Sequence, residues 1–131
     1  MKQTNQLFTI IALVFMLISS CTFAQNKNDI EITEFKTKIV SQKYILLDVR
    51  TESEFDDGHI NGAINIDYFS STFSEEISEL GLETPVLVYC KSGNRSGKAM
   101  KIMNDLRFKE VYNLTGGFKG WLSGKNTISK E

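Results

Sequence analysis

The stretch Val86-Leu87-Val88-Tyr89-Cys90-Lys91-Ser92-Gly93-Asn94-Arg95-Ser96-Gly97 decides how this chain is read. Val86 to Tyr89 is an apolar, β-branched run suited to a strand buried on both faces. A helix is expected to open at Arg95 or Ser96, because Ala99, Ile102, Met103 and Leu106 follow at helical spacing. Cys90 therefore sits at the carboxyl end of a strand, where open α/β sheets bind their ligands.

The polar loop after Cys90 has a physical use. Gly93 can take backbone angles closed to other residues, so the chain can curl around the cysteine sulfur. Successive N–H groups in such a curl form an anion-binding nest, and the following helix adds its positive end. Lys91 and Arg95 add full charges, and Ser92 and Ser96 add hydroxyl donors. Such surroundings favour thiolate over thiol, which makes a cysteine a nucleophile near neutral pH. The plainer reading makes Cys90 a small hydrophobe ending a strand. Apolar packing, however, gives no reason for Lys, Ser, Gly, Asn, Arg and Ser to follow it.

Outward from this centre, strands alternate with helices. Tyr44 to Val49 reads as a second central strand, and Ala63 to Ile66 as a short third. Val111 to Leu114 reads as a final short strand. An early helix carries Ile32, Phe35 and Ile39 on one face, with Thr33 as its candidate N-cap. Phe69, Phe73, Ile77 and Leu80 recur at helical spacing, with Ser70 and Ser71 as caps and Gly81 as a stop. Gly116-Gly117 makes a turn, and Phe118 and Trp121 begin a last helix, with Trp121 against the sheet or walling the substrate pocket. The alternation implies a parallel sheet with helices on both faces.

Four segments together resemble the rhodanese-like sulfurtransferases. Cys90-x-x-Gly93-x-Arg95-Ser96 is similar to that family's active-site loop. Leu46-Leu47-Asp48-Val49-Arg50 resembles its Asp-Val-Arg strand end. Glu54-Phe55, then Gly58-His59-Ile60-Asn61-Gly62-Ala63-Ile64-Asn65-Ile66, resembles its Gly-His-Ile-x-Gly-Ala-x-Asn-Ile segment. Gly116-Gly117-Phe118 with Trp121 resembles its C-terminal Gly-Gly-x-x-x-Trp. The resemblance spans about residues 30–122 and implies a small, doubly wound α/β domain with a five-stranded parallel sheet. It also implies sulfur transfer through a persulfide on Cys90. The donor would be a small anion such as thiosulfate, and the acceptor cyanide, a thiol or another protein.

Neighbouring charges are read beside this resemblance. Arg50 is expected to form a structural ion pair with Glu54 or Asp48, and the resemblance makes all three supports of the active-site loop. Glu52 with Glu54 could be an acid/base pair, but no sugar-binding aromatic cluster surrounds them. His59, the one histidine, could serve Cys90 as a base or could bond local backbone; the resemblance puts it in a loop and short strand away from the nucleophile. A metal on His59 and Cys90 fails on ligand number, and no cofactor is expected.

The ends of the chain read differently. Leu7 to Ile18 is apolar but for Thr9, too short to span a bilayer and suited to a secretory signal. Two cleavage readings of residues 1–24 compete. Ile18-Ser19-Ser20-Cys21 resembles a bacterial lipobox, with Cys21 lipidated, while Thr22-Phe23-Ala24 offers an ordinary site before Gln25. Either reading sends the domain to the periplasm or cell envelope, with membrane attachment only through a lipid on Cys21; an uncleaved membrane anchor is a third option. Cys90 is then the one free thiol and no intramolecular disulfide can form. Residues 25–29 read as a linker, 30–124 as the domain, and 125–131 as a polar, frayed tail.

With 131 residues, 15 basic and 16 acidic, the chain suits one domain and gives no sign of nucleic-acid binding. Three rival functions share the pattern. A phosphatase of this architecture would place five residues between Cys and Arg, whereas four lie between Cys90 and Arg95. Arsenate reduction is a second, and a non-catalytic binding module a third. A thiol redox partner would need a second cysteine.

Overall fold

The structure is a computed structural model describing residues 26–130. The readings of residues 1–24, and of Gln25 as a linker residue, lie outside the described residues.

Five strands form one parallel sheet. They are β1 (Asp29–Ile30), β2 (Ile45–Asp48), β4 (Ile64–Asn65), β5 (Val86–Tyr89) and β6 (Val111–Leu114), in the order β1-β6-β5-β2-β4. Two further strands, β3 (His59–Ile60) and β7 (Ile128–Ser129), pair antiparallel beside it. The central strands are apolar along their whole length because both sheet faces are covered. Val86 and Val88 face one core with Leu47, Val49, Phe73, Ile77, Met100 and Met103. Leu87 and Tyr89 face the other with Leu46, Phe35, Phe118 and Trp121. The first core is roofed by α3 (Phe73–Ser78) and α4 (Asn94–Asp105), the second by α1 (Ile32–Val40) and α5 (Gly117–Ser123). A short α2 (Glu52–Asp56) follows β2. The doubly wound five-stranded architecture is therefore present.

The winding positions the site. From β2 the next strand of the sheet, β4, lies to one side; from β5 the next, β6, lies to the other. The chain thus diverges at the β2/β5 boundary, where open α/β sheets leave a crevice at their carboxyl ends. Asp48 closes β2 at that boundary and Cys90 follows β5.

Several local expectations are corrected. Residues 26–29 do not run as a free linker: Asp29 and Ile30 pair with Asn113 and Leu114, and the Asn28 side-chain amide donates to the Val111 carbonyl at 2.9 Å. Thr33 is not the cap of α1, which starts at Ile32 after Glu31, with no side-chain cap bond. The helix expected from Phe69 shrinks to α3, preceded by Thr72 rather than by a Ser70 or Ser71 cap. There the Ser70 and Thr72 hydroxyls donate to Glu76 at 2.9 and 2.7 Å, holding a turn instead. Within the tail, the described residues 125–130 are not frayed either. Ile128 and Ser129 pair with Ile60 and His59, and the Thr127 carbonyl accepts from the Trp121 indole at 2.9 Å.

Candidate active site

Cys90 is 1% exposed, at the end of the central strand. Gly93 precedes α4 with φ +97°, a left-handed conformation that a side chain would strain. That turn folds the loop back so that the Gly93 N–H donates to Cys90 Sγ at 3.2 Å. One turn later the buried Ser96 hydroxyl donates to the same sulfur at 3.2 Å. Burial alone pushes the Cys90 thiol up. The Ser96 hydroxyl and the backbone N–H groups of Ser96, Ser92 and Gly93 outweigh it, holding the thiol below its ordinary value. The helix opens at Asn94, one residue before the earlier of the expected starts. Lys91, Ser92 and Asn94 are exposed on the loop.

The loop is braced from behind by a contact the sequence did not suggest. At the start of α5, the N–H groups of Phe118 and Lys119 donate to the carbonyls of Cys90 and Lys91 at 2.8 and 3.0 Å. Gly117, with φ +57°, makes this approach possible: a Cβ there would lie 2.5 Å from the Cys90 carbonyl oxygen. From the sequence, Gly116-Gly117 is a turn and part of the C-terminal Gly-Gly-x-x-x-Trp resemblance, with no sign of this contact.

The charged residues sort into two pairs. Arg50 joins Asp48, with Nη2 on Oδ2 at 2.6 Å and Nε on Oδ1 at 3.0 Å; Nη2 also donates to the Gly58 carbonyl at 2.8 Å. Its guanidinium lies 4.1 Å from the Phe118 ring centroid. Of the two partners expected for Arg50, the structure selects Asp48. Glu54 instead holds Arg95 through two parallel bonds, Nη1 to Oε2 at 2.8 Å and Nη2 to Oε1 at 3.0 Å. The Arg95 bonds, helped by the Thr51 N–H and hydroxyl, lower the Glu54 carboxyl to about 2. Thr51 and Glu54 also form a capping box at the start of α2, which fixes the carboxylate in place. Arg95 is thus neutralised beside the loop instead of standing free as a cation.

His59 takes the local role. Its Nδ1 lies 2.8 Å from the Phe55 carbonyl and its ring stacks on Phe55 at 3.7 Å. A carbonyl only accepts, so Nδ1 carries the proton. Trp121 packs in the core against the sheet, and the cleft it lines contains none of the Cys90 loop. Among the described residues no cluster of three metal-ligating side chains occurs.

The chain is similar to several known proteins. The protein YqhL of Bacillus subtilis, itself uncharacterized, is 33% identical over 119 residues, 90% of this chain and 93% of that one. Thiosulfate sulfurtransferase 18 of Arabidopsis thaliana is 33% identical over 126 residues, covering 87% and 92% of the two chains. Thiosulfate sulfurtransferase GlpE of Tolumonas auensis is 34% identical over 76 residues, 58% of this chain and 70% of that one. Among solved structures, a rhodanese-related protein from Thermoplasma volcanium superposes with a TM-score of 0.71 at 27% identity, covering 79% of this chain and 99% of that one. The human single-domain sulfurtransferase TSTD1 shares the fold, with a TM-score of 0.65 at 23% identity over 75% and 97% of the two chains. The family model of the Rhodanese-like domain matches residues 31–124, and the chain belongs to that family.

Proposed function

We propose that this protein is a sulfurtransferase working through a persulfide on Cys90. The Cys90 thiolate attacks the outer sulfur of a donor such as thiosulfate. The donor's S–S bond breaks, sulfite leaves with its electron pair, and Cys90 carries the sulfur as a persulfide anion. An acceptor nucleophile then attacks that outer sulfur; cyanide leaves as thiocyanate and a thiolate leaves as its persulfide. Cys90 is returned as thiolate, so no external oxidant or reductant is needed.

One observation carries this reading: the Gly93 N–H and the Ser96 hydroxyl both converge on Sγ at 3.2 Å. Fixed donors of this kind stabilise anionic sulfur in either half-reaction without reorganising. The relatives named thiosulfate sulfurtransferase support the same chemistry. A phosphatase or arsenate reductase would use the Arg95 guanidinium on its tetrahedral oxyanion, and the two bonds to Glu54 occupy that fork. Incubation of the purified domain with thiosulfate, followed by intact mass measurement, tests the reading. The wild type should gain one sulfur atom and Cys90→Ser none. No gain in the wild type would leave a binding module as the better description.

For location, the N-terminal sequence supports export to the periplasm or cell envelope. Attachment to the membrane would come only through a lipid on Cys21. The mass of the mature N-terminus decides between that form and a free start at Gln25, and an intact Met1 would refute both.

A further inference from the structure

We propose that Lys119 on α5, together with Lys91, forms the subsite that draws in the anionic sulfur donor. The inference rests on the sulfurtransferase reading and extends it to a residue outside the Cys90 loop.

It follows from where the charges go. Arg95, the loop cation nearest in kind to a donor-binding group, is spent on Glu54 through two bonds. Arg50 is spent on Asp48. Lys91 and Lys119 are not so paired: among the described residues, neither has a carboxylate oxygen within 4.0 Å, which holds also for Lys98 in the neighbouring cleft on the other side of the loop. Both are exposed, and both line one cleft of about 280 Å³. The bond from the Lys119 N–H to the Lys91 carbonyl at 3.0 Å ties their backbones together. Two ammonium groups therefore rise from adjoining backbone at the edge of the nucleophile's loop. The cleft also holds Arg50, Glu54 and Asp57. With Arg50 neutralised by Asp48 and Glu54 by Arg95, Asp57 is the one carboxylate left to oppose two lysines. The mouth is net positive on a chain whose overall charge is −1, and a patch of this kind raises the local concentration of a dianion. Phe118 and Leu122 complete the walls.

The experiment measures the second-order rate of Cys90 persulfide formation by stopped quench and intact mass. It uses thiosulfate, a dianion, and methanethiosulfonate, a monoanion. Lys119→Gln should slow loading from thiosulfate about 3- to 10-fold at low salt, within the range of electrostatic steering. The loss should be smaller with methanethiosulfonate, and should shrink as ionic strength rises past about 0.15 M. Lys119→Arg should restore the rate, and Lys43→Gln, at the opposite end of the sheet, should leave it unchanged. Equal rates and equal salt slopes for wild type and Lys119→Gln would overturn the subsite while leaving the sulfurtransferase reading intact. A wild type that takes up no sulfur from either donor would refute that reading itself.

Discussion

Replacing Ser96 by alanine removes the one side-chain donor on Cys90 Sγ and little else. Ser96 is fully buried, its hydroxyl is bonded to the sulfur at 3.2 Å, and alanine fits the same space in the helix. The Gly93 N–H and the backbone N–H of Ser96 stay in place. A hydrogen bond to a charged group contributes about 1.5–3 kcal/mol. One pKa unit corresponds to about 1.4 kcal/mol. The thiol of the variant should therefore titrate about 1–2 units higher than the wild type. Thiolate absorbance near 240 nm, with the Cys90→Ser spectrum subtracted, reads this directly without asking a reagent to reach a buried atom. The wild-type Cys90 thiol is held below its ordinary value, so sulfur loading should fall as pH drops through that depressed value. In Ser96→Ala the same fall should begin at higher pH. Titration curves that superpose would refute the claim that the hydroxyl stabilises the anion.

Other outcomes follow from the same geometry. Gly117→Ala should shift the urea midpoint far more than Gly62→Ala. Both positions have positive φ and share a penalty of roughly 1–2 kcal/mol, but only at Gly117 would the new Cβ also meet backbone, 2.5 Å from the Cys90 carbonyl. Glu54→Gln should remove part of the acid sensitivity of folding. The Glu54 carboxyl is depressed from 4.5 to about 2, so its stabilisation is present above the ordinary carboxylate range and is lost as pH falls toward 2. The stability gap between wild type and variant should therefore narrow over that interval. Truncation after Gly124 deletes β7 and the Thr127 acceptor of the Trp121 indole. An indole N–H left without its partner costs about 1–3 kcal/mol if it stays dry, so chemical denaturation should show a loss of that order, and an unchanged midpoint would show β7 to be idle.

The parts of the fold legible beforehand are those written locally. The run Val86 to Tyr89 can only be a strand covered on both faces, and the glycine at position 93 only makes sense if the chain turns sharply there. The residues misjudged depend on distant partners. Glu54 meets Arg95 across 41 positions, and nothing near either one distinguishes that pairing from Glu54 with Arg50. Gly117 abuts Cys90 because α5 returns to the top of β5, a contact with no periodic signature. β1 and β7 have two residues each in polar surroundings, too short for alternation to register, and each exists because an edge elsewhere offers backbone partners.

The recessed position of Cys90 has a consequence for what can reach it. With 1% of its surface exposed, Cys90 offers its sulfur to a slim terminal atom sooner than to a bulky electrophile. A sulfur loaded as proposed would move the reactive centre outward by one S–S bond, about 2 Å, toward visitors too large to enter before. On the proposed chemistry, depth would then act as a size filter that changes with each half-cycle, selecting slim donors for the empty protein and leaving its cargo within grasp of larger acceptors.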